Sequence, residues 1–285
     1  MKLLKYDTEA FETHFEKRPF SIGHSLASHT LFSTEKLIEL ANFLAPERRI
    51  LNSGLVPVSL QNGGKANDGL TVEETIRKIG ELNTWVGLKM ISRHPEYRAL
   101  IDQILDELQP EIDRTHPGMY DREAHIVISS PNSVTPFHMD KEHLFFFHIQ
   151  GRKEFTAFDP TDRELVSETA LEWFFTQDNR RMELPDHMIS RGMRMMLQAG
   201  DGMHIPVRSP HFVTTFEDVC ISLSVTYRTP ASESRRRLHG LNCRMRDFRI
   251  NPSPAGRHPR RDRLKLKLFD AYRSTCKVLG ISKTA

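Results

Sequence analysis

Two textures of hydrophobic spacing divide the chain. Up to about residue 119, apolar side chains recur at intervals of three and four, as they do along one face of a helix. Leu37, Leu40, Ala41 and Leu44 predict a helix over 34–44 with Ser33 as its N-cap. Thr71 and Glu74 have the T-x-x-E spacing of a capping box and open a second helix carrying Ile76 and Ile79. Pro95 suits a first helical turn, with Leu100, Ile101, Ile104, Leu105 and Leu108 as the core stripe behind it. Asn62-Gly63-Gly64 and Asn67-Asp68-Gly69 mark loops, and Gly118 closes the region.

Beyond Gly118 the period shortens to two. Runs rich in Phe, Ile and Val at 124–129, 143–149 and 153–158 are separated by turn residues. A helical insertion follows at about 167–175, and strand-like runs resume at 195–198, 203–206, 211–216 and 219–227. Some eight short strands broken by Gly, Pro and Asp predict a β-sandwich or jelly roll. From Thr229 the strand pattern stops. Residues 251–256 read as a loop, and Leu264, Leu268, Tyr272 and Leu279 then recur at helical spacing among basic residues. The expected architecture is α+β. A helical N-terminal region (1–119) packs on a β core (120–228), followed by a basic linker and amphipathic helix (229–285).

Composition adds one asymmetry. With 38% hydrophobic and 27% charged residues the chain is ordinary globular material, and its net charge is only +3. From Thr229 onward, however, fifteen Lys/Arg face four Asp/Glu, which leaves about −8 on the preceding residues. An acidic body thus carries a basic tail. Three scattered cysteines make no disulfide framework, no apolar leader is visible, and no stretch approaches the length of a membrane span. These features predict a cytoplasmic protein.

The candidate chemistry lies in Thr135-Pro-Phe-His138-Met-Asp140. On a strand, residues two apart face the same side, so His138 and Asp140 project together and Met139 projects away. His211 follows about seventy residues later in Gly200-Asp-Gly-Met-His-Ile-Pro206-Val-Arg-Ser-Pro-His211. Two imidazoles and one carboxylate form the facial triad of non-haem Fe(II) oxygenases, leaving three coordination positions for a bidentate 2-oxo acid and dioxygen. Lys153 stands in an otherwise apolar strand pair, where burying an unpaired ammonium is costly. The distal carboxylate of 2-oxoglutarate is a fitting partner for it, with the Thr135 hydroxyl as a second donor.

Residues 124–228 resemble the jumonji/cupin-like oxygenases that use Fe(II) and 2-oxoglutarate, particularly the branch of the asparaginyl hydroxylase that represses hypoxia-inducible factor. The resemblance rests on T-P-x-H-x-D (Thr135 to Asp140), a Phe-rich strand, G-x-K (Gly151 to Lys153), G-D-x-x-x-I-P (Gly200 to Pro206), His211 and the alternating strand Ile221 to Tyr227. It implies a double-stranded β-helix core, with His138, Asp140 and His211 as iron ligands and Lys153 and Thr135 as 2-oxoglutarate-binding residues. The implied reaction is hydroxylation of a C–H bond on a peptide or protein side chain or a small metabolite, with O2 consumed and succinate and CO2 formed. Leu144 and Thr226 depart from the branch, replacing asparagines near the cosubstrate, and His148 replaces a glutamine. Thr226 retains a hydroxyl for cosubstrate binding.

Two rival readings stand beside this one: a catalytically silent jumonji-like binding module, and a cupin metalloenzyme that does not use 2-oxoglutarate. Elsewhere the bland readings are preferred. His143, His148 and His204 are expected to be hydrogen-bonded structural histidines, Phe145 to Phe147 core and pocket wall, Trp85 and Trp173 packing anchors, and Cys220 a small buried hydrophobe. For the tail, self-docking or a homodimer through the C-terminal helix is favoured over nucleic acid or another anionic partner.

Overall fold

The computed structural model describes residues 2–59, 69–176 and 183–278. The loops predicted at Asn62-Gly63-Gly64 and Asn67-Asp68, and Leu279 of the tail, lie outside these residues. The N-terminal region has its predicted helices, but it also builds strands. In chain order come β1 (Leu4–Lys5), α1 (Thr8–His14), β2 (Phe20–His24), α2 (Thr34–Phe43), β3 (Arg49–Ser53), α3 (Val72–Arg77), β4 (Thr84–Lys89) and α4 (Pro95–Asp113). Ser33 caps α2, and the Thr71–Glu74 box caps α3, each as expected. The stripe on α4 is buried from Tyr97 to Ile112.

The second texture becomes β5 (Tyr120–Ser129), β6 (Val134–His138), β7 (His143–Gln150), β8 (Arg152–Ala157), α5 (Glu168–Thr176), β9 (Met193–Gln198), β10 (Asp201–Ile205), β11 (His211–Thr215) and β12 (Cys220–Arg228). They form two antiparallel sheets. The larger has the order β1-β2-β10-β7-β12-β5-β4-β3 and the smaller β6-β11-β8-β9. The eight strands β5 to β12 divide four and four between them, the arrangement of a double-stranded β-helix. The N-terminal strands extend the larger sheet at both edges, with β2 beside β10 and β4 beside β5.

Side-chain parity assigns the cores. On β7, Phe145 and Phe147 face outward and join α1, α2 and α4 in the largest apolar cluster. Leu144 and Phe146 face inward and meet Phe155, Leu197, Met203, Ile205 and Val213 across the barrel. Phe137, Met139, Phe158 and Phe212 line the outer face of the smaller sheet, covered by α5. Trp85 is buried as expected, whereas Trp173 stands 43% exposed on α5 and anchors no core.

The tail departs from expectation at its start. Thr229 is no linker residue. It is buried and caps α6 (Pro230–Asp247) through a reciprocal box with Ser232. This helix packs on α5, where Arg246 donates to both carboxylate oxygens of the buried Glu172. Its many arginines obscure the apolar period, and its buried positions include the polar His239 and Asn242. The predicted amphipathic helix is α7 (Pro259–Val278), which touches α6 through Arg237–Asp270 and Lys265–Asn242 while Leu264, Leu268 and Tyr272 remain exposed.

Candidate metal centre

β6 and β11 bring the predicted ligands together. His138 lies directly opposite His211, and Asp140 follows just past the end of β6 at the barrel mouth. The ligand atoms of His138, Asp140 and His211 lie within 4.8 Å of one another, with His211 Nε2 3.6 Å from Asp140 Oδ2. Bonds of about 2 Å to one ion place adjacent ligands of an octahedron about 3 Å apart, so the cluster suits a single ion after a small contraction.

The chain also fixes the tautomers. His138 Nδ1 donates to the Pro136 carbonyl at 2.7 Å, and His211 Nδ1 donates to the Ser209 carbonyl at 3.0 Å. A carbonyl can only accept, so each neutral imidazole carries its proton on Nδ1 and presents Nε2 as a metal ligand. Met139 packs outside the sheet, as strand parity requires.

A bulge explains how Thr135 reaches the same side. Three steps along β6, from Thr135 to His138, oppose only two along β11, from Val213 to His211. The extra residue resets the alternation, so Thr135 and His138 both face the interior although they are three apart. Lys153 lies opposite Thr215, and Thr215, Val213 and His211 alternate along one face. Thr135, Lys153, His138 and His211 therefore share the inner face of the smaller sheet. Four residues of strand separate the Lys153 level from His211, about 13 Å. An extended lysine and a five-carbon diacid chelated at the metal together span such a gap.

Lys153 is 3% exposed, and no hydrogen bond or ion pair to its ammonium is found among the described residues. Burial lowers its pKa to about 8. Its ammonium lies 5.5 Å from the centre of the Phe146 ring. His148 faces the same interior but is occupied: Nε2 donates to the Gly151 carbonyl at 3.0 Å, and Nδ1 accepts from Ser222 at 3.1 Å. Burial, with Lys153 nearby, pushes His148 down to about 3, so it is neutral. Thr226 faces inward beside Leu144, its hydroxyl 3.4 Å from the Glu123 carbonyl.

His143 and His204 belong to a different place. Both lie on the outer face of the larger sheet and donate to the Glu16 carboxylate, at 2.6 and 3.1 Å, while Val207 N–H supplies a third donor at 3.1 Å. Burial pushes Glu16 up, but the donors from His143 and His204 outweigh it and hold the carboxyl well below its ordinary range.

Sequence reasoning passed over His125. Its register opposite Ser224 turns it inward, and it lies within electrostatic reach of Asp140. Its Nδ1 accepts from Met90 N–H at 3.1 Å, which leaves the proton on Nε2, a donor within the barrel. Only the parity of β5 signalled this orientation.

Comparison with solved structures shows the same fold. The chain resembles YcfD of Escherichia coli with a TM-score of 0.57 and 18% identity, over 95% of this chain and 69% of that one. The E. coli ribosomal oxygenase YcfD in complex with cobalt and 2-oxoglutarate matches with a TM-score of 0.53 and 17% identity, over 94% and 67%. At such identities the likeness establishes a shared fold. No curated protein sequence matches the chain. A family model described as the cupin-like domain matches residues 81–233, more than half of the chain, from β4's approach through the first turn of α6. The chain belongs to the cupin-like domain family.

Proposed function

We propose that this protein is an Fe(II)- and 2-oxoglutarate-dependent oxygenase. Its reaction is hydroxylation of a C–H bond on a peptide or protein side chain or a small metabolite, with succinate and CO2 as coproducts. The observation that carries the reading is the pairing of a three-ligand cluster with a buried, uncompensated lysine on one barrel face. A structural zinc site saturates its ion with protein ligands, whereas three ligands leave room for a chelating cosubstrate. The E. coli ribosomal oxygenase that shares the fold was solved with cobalt and 2-oxoglutarate, which supports the same use of this scaffold.

Bound iron and 2-oxoglutarate would supply the oxidation chemistry. The chain supplies position and environment. His138, Asp140 and His211 hold the metal at the mouth, and the carbonyls of Pro136 and Ser209 fix both imidazoles as ligands. Lys153 and Thr135 take the distal carboxylate, and Thr226 offers a further hydroxyl on the opposite wall. Leu144, Phe146, Phe155 and Val213 exclude water between the two ends of the cosubstrate.

In the same reading the protein acts in the cytoplasm, consistent with no described helix being long and apolar enough to cross a membrane. It pairs with a second copy through α7, whose Leu264, Leu268 and Tyr272 stripe is exposed. The test of the activity is succinate formation from 2-oxoglutarate by the iron-loaded protein under air. We expect turnover in the wild type and its loss in His138→Ala and Asp140→Ala. Full turnover in either variant would overturn the ligand assignment.

A further inference from the structure

Positive charge gathers where the loop between β10 and β11 meets α5 and α6. Arg208 sits in that loop with φ of 72°, a left-handed conformation that a long side chain adopts only at a cost. It is 9% exposed, and among the described residues no hydrogen bond or ion pair reaches its guanidinium; Nε is fully buried with no acceptor. His239, from α6, is buried with its ring stacked on Phe175 at 5.0 Å, and neither ring nitrogen has a partner. Arg163 and Arg235 lie within electrostatic reach of both.

Two carboxylates lie within electrostatic reach, but neither bonds Arg208. Glu16 is bound to His143 and His204, and Glu168 to Arg163 through one oxygen, its other oxygen buried without a partner. A largely buried guanidinium whose Nε has no acceptor is a costly arrangement for a fold to retain, and its planar fork matches an oxyanion bidentately. Strain, burial and absent partners thus coincide on one side chain.

We propose that this cluster binds a small oxyanion, a carboxylate or phosphate group, anchored by Arg208, with His239 as a second donor and Arg163 and Arg235 beside them. The site is separate from the barrel interior but mechanically joined to it, because Arg208 N–H donates to the carbonyl of Asp140 at 3.3 Å. The anion is either an acidic group carried by the substrate or a free effector. The inference does not depend on the oxygenase reading.

The test is thermal denaturation and calorimetric titration of the full chain with inorganic phosphate, against chloride at equal ionic strength, for wild type, Arg208→Met and His239→Gln. We expect saturable phosphate stabilisation of the wild type, no phosphate response in Arg208→Met, and binding weakened at least threefold in His239→Gln. Without phosphate, Arg208→Met should melt no lower than wild type, because it removes an unpaired buried charge. A wild type that responds to phosphate no more than to chloride would overturn the proposal. So would an equal phosphate response in Arg208→Met, or a lower melting point for that variant in chloride alone. Should Arg208→Met fail to fold, the wild type and His239→Gln decide the question. Comparing O-phosphoserine with phosphate and N-acetylaspartate with acetate then identifies the source. Tighter binding of the larger molecules marks a substrate-borne group, and tighter binding of the simple ions marks a free effector.

Discussion

Replacing Lys153 by methionine should have two opposite effects, one on stability and one on cosubstrate binding. The ordinary lysine value is 10.5, and burial holds Lys153 near 8. Between these values the unfolded chain binds a proton that the folded chain lacks, so stability rises with pH across that window. Below pH 8 the full penalty of the buried ammonium is present, about 3 kcal/mol. Methionine keeps most of the volume and removes the charge. Without cosubstrate, Lys153→Met should therefore be more stable at pH 7 by up to about 3 kcal/mol, and its gain over wild type should shrink from pH 8 to 10. With 2-oxoglutarate the sign reverses, because the distal carboxylate loses its buried partner at a cost of about 2–5 kcal/mol, at least 30-fold in affinity. Urea denaturation at several pH values reads the first effect. Anaerobic calorimetry with Mn(II) in the metal site reads the second. A variant that binds 2-oxoglutarate within threefold of wild type would refute the role of Lys153. One less stable than wild type at pH 7 would refute the claim that its ammonium is uncompensated.

Three further outcomes follow from other parts of the fold. Glu16→Gln should destabilise by about 3 kcal/mol at pH 7, since it removes a buried carboxylate from His143, His204 and Val207 N–H. The wild-type contribution is present above the ordinary carboxyl range and lost as pH falls through the lowered folded value, so urea midpoints of the two proteins should converge in acid. Gly151→Ala should cost at least about 2 kcal/mol by chemical denaturation, because Gly151 has φ of 81° and an added Cβ would lie 2.5 Å from the Val219 carbonyl. Leu264→Lys with Leu268→Lys should convert a dimer to a monomer in light scattering; an unchanged mass would remove α7 from the interface.

The clustering of His138, Asp140 and His211 and the burial of Lys153 were legible because strand parity is a strict rule and their spacing carries the chemistry. Parity alone failed at Thr135, where a one-residue bulge, invisible in the residue pattern, turns its side chain inward. The N-terminal strands β2 and β4 were missed because each is short and lies among helical segments; the larger sheet, not local periodicity, defines them. α6 was read as linker because its buried face includes His239 and Asn242 where an apolar stripe would be expected. The Glu16 network and the Arg208 cluster join segments far apart in sequence, and nothing local distinguishes those residues from surface charges.

At the heart of the proposed function, His138, Asp140 and His211 hold an iron ion that 2-oxoglutarate chelates. Anaerobic visible-absorption titration of metal-free protein with Fe(II) and then 2-oxoglutarate tests it most directly. We expect a charge-transfer band that appears only with both additions, disappears in His138→Ala and needs far more 2-oxoglutarate in Lys153→Met. The absence of any band in wild type, together with no calorimetric binding of 2-oxoglutarate, would contradict it.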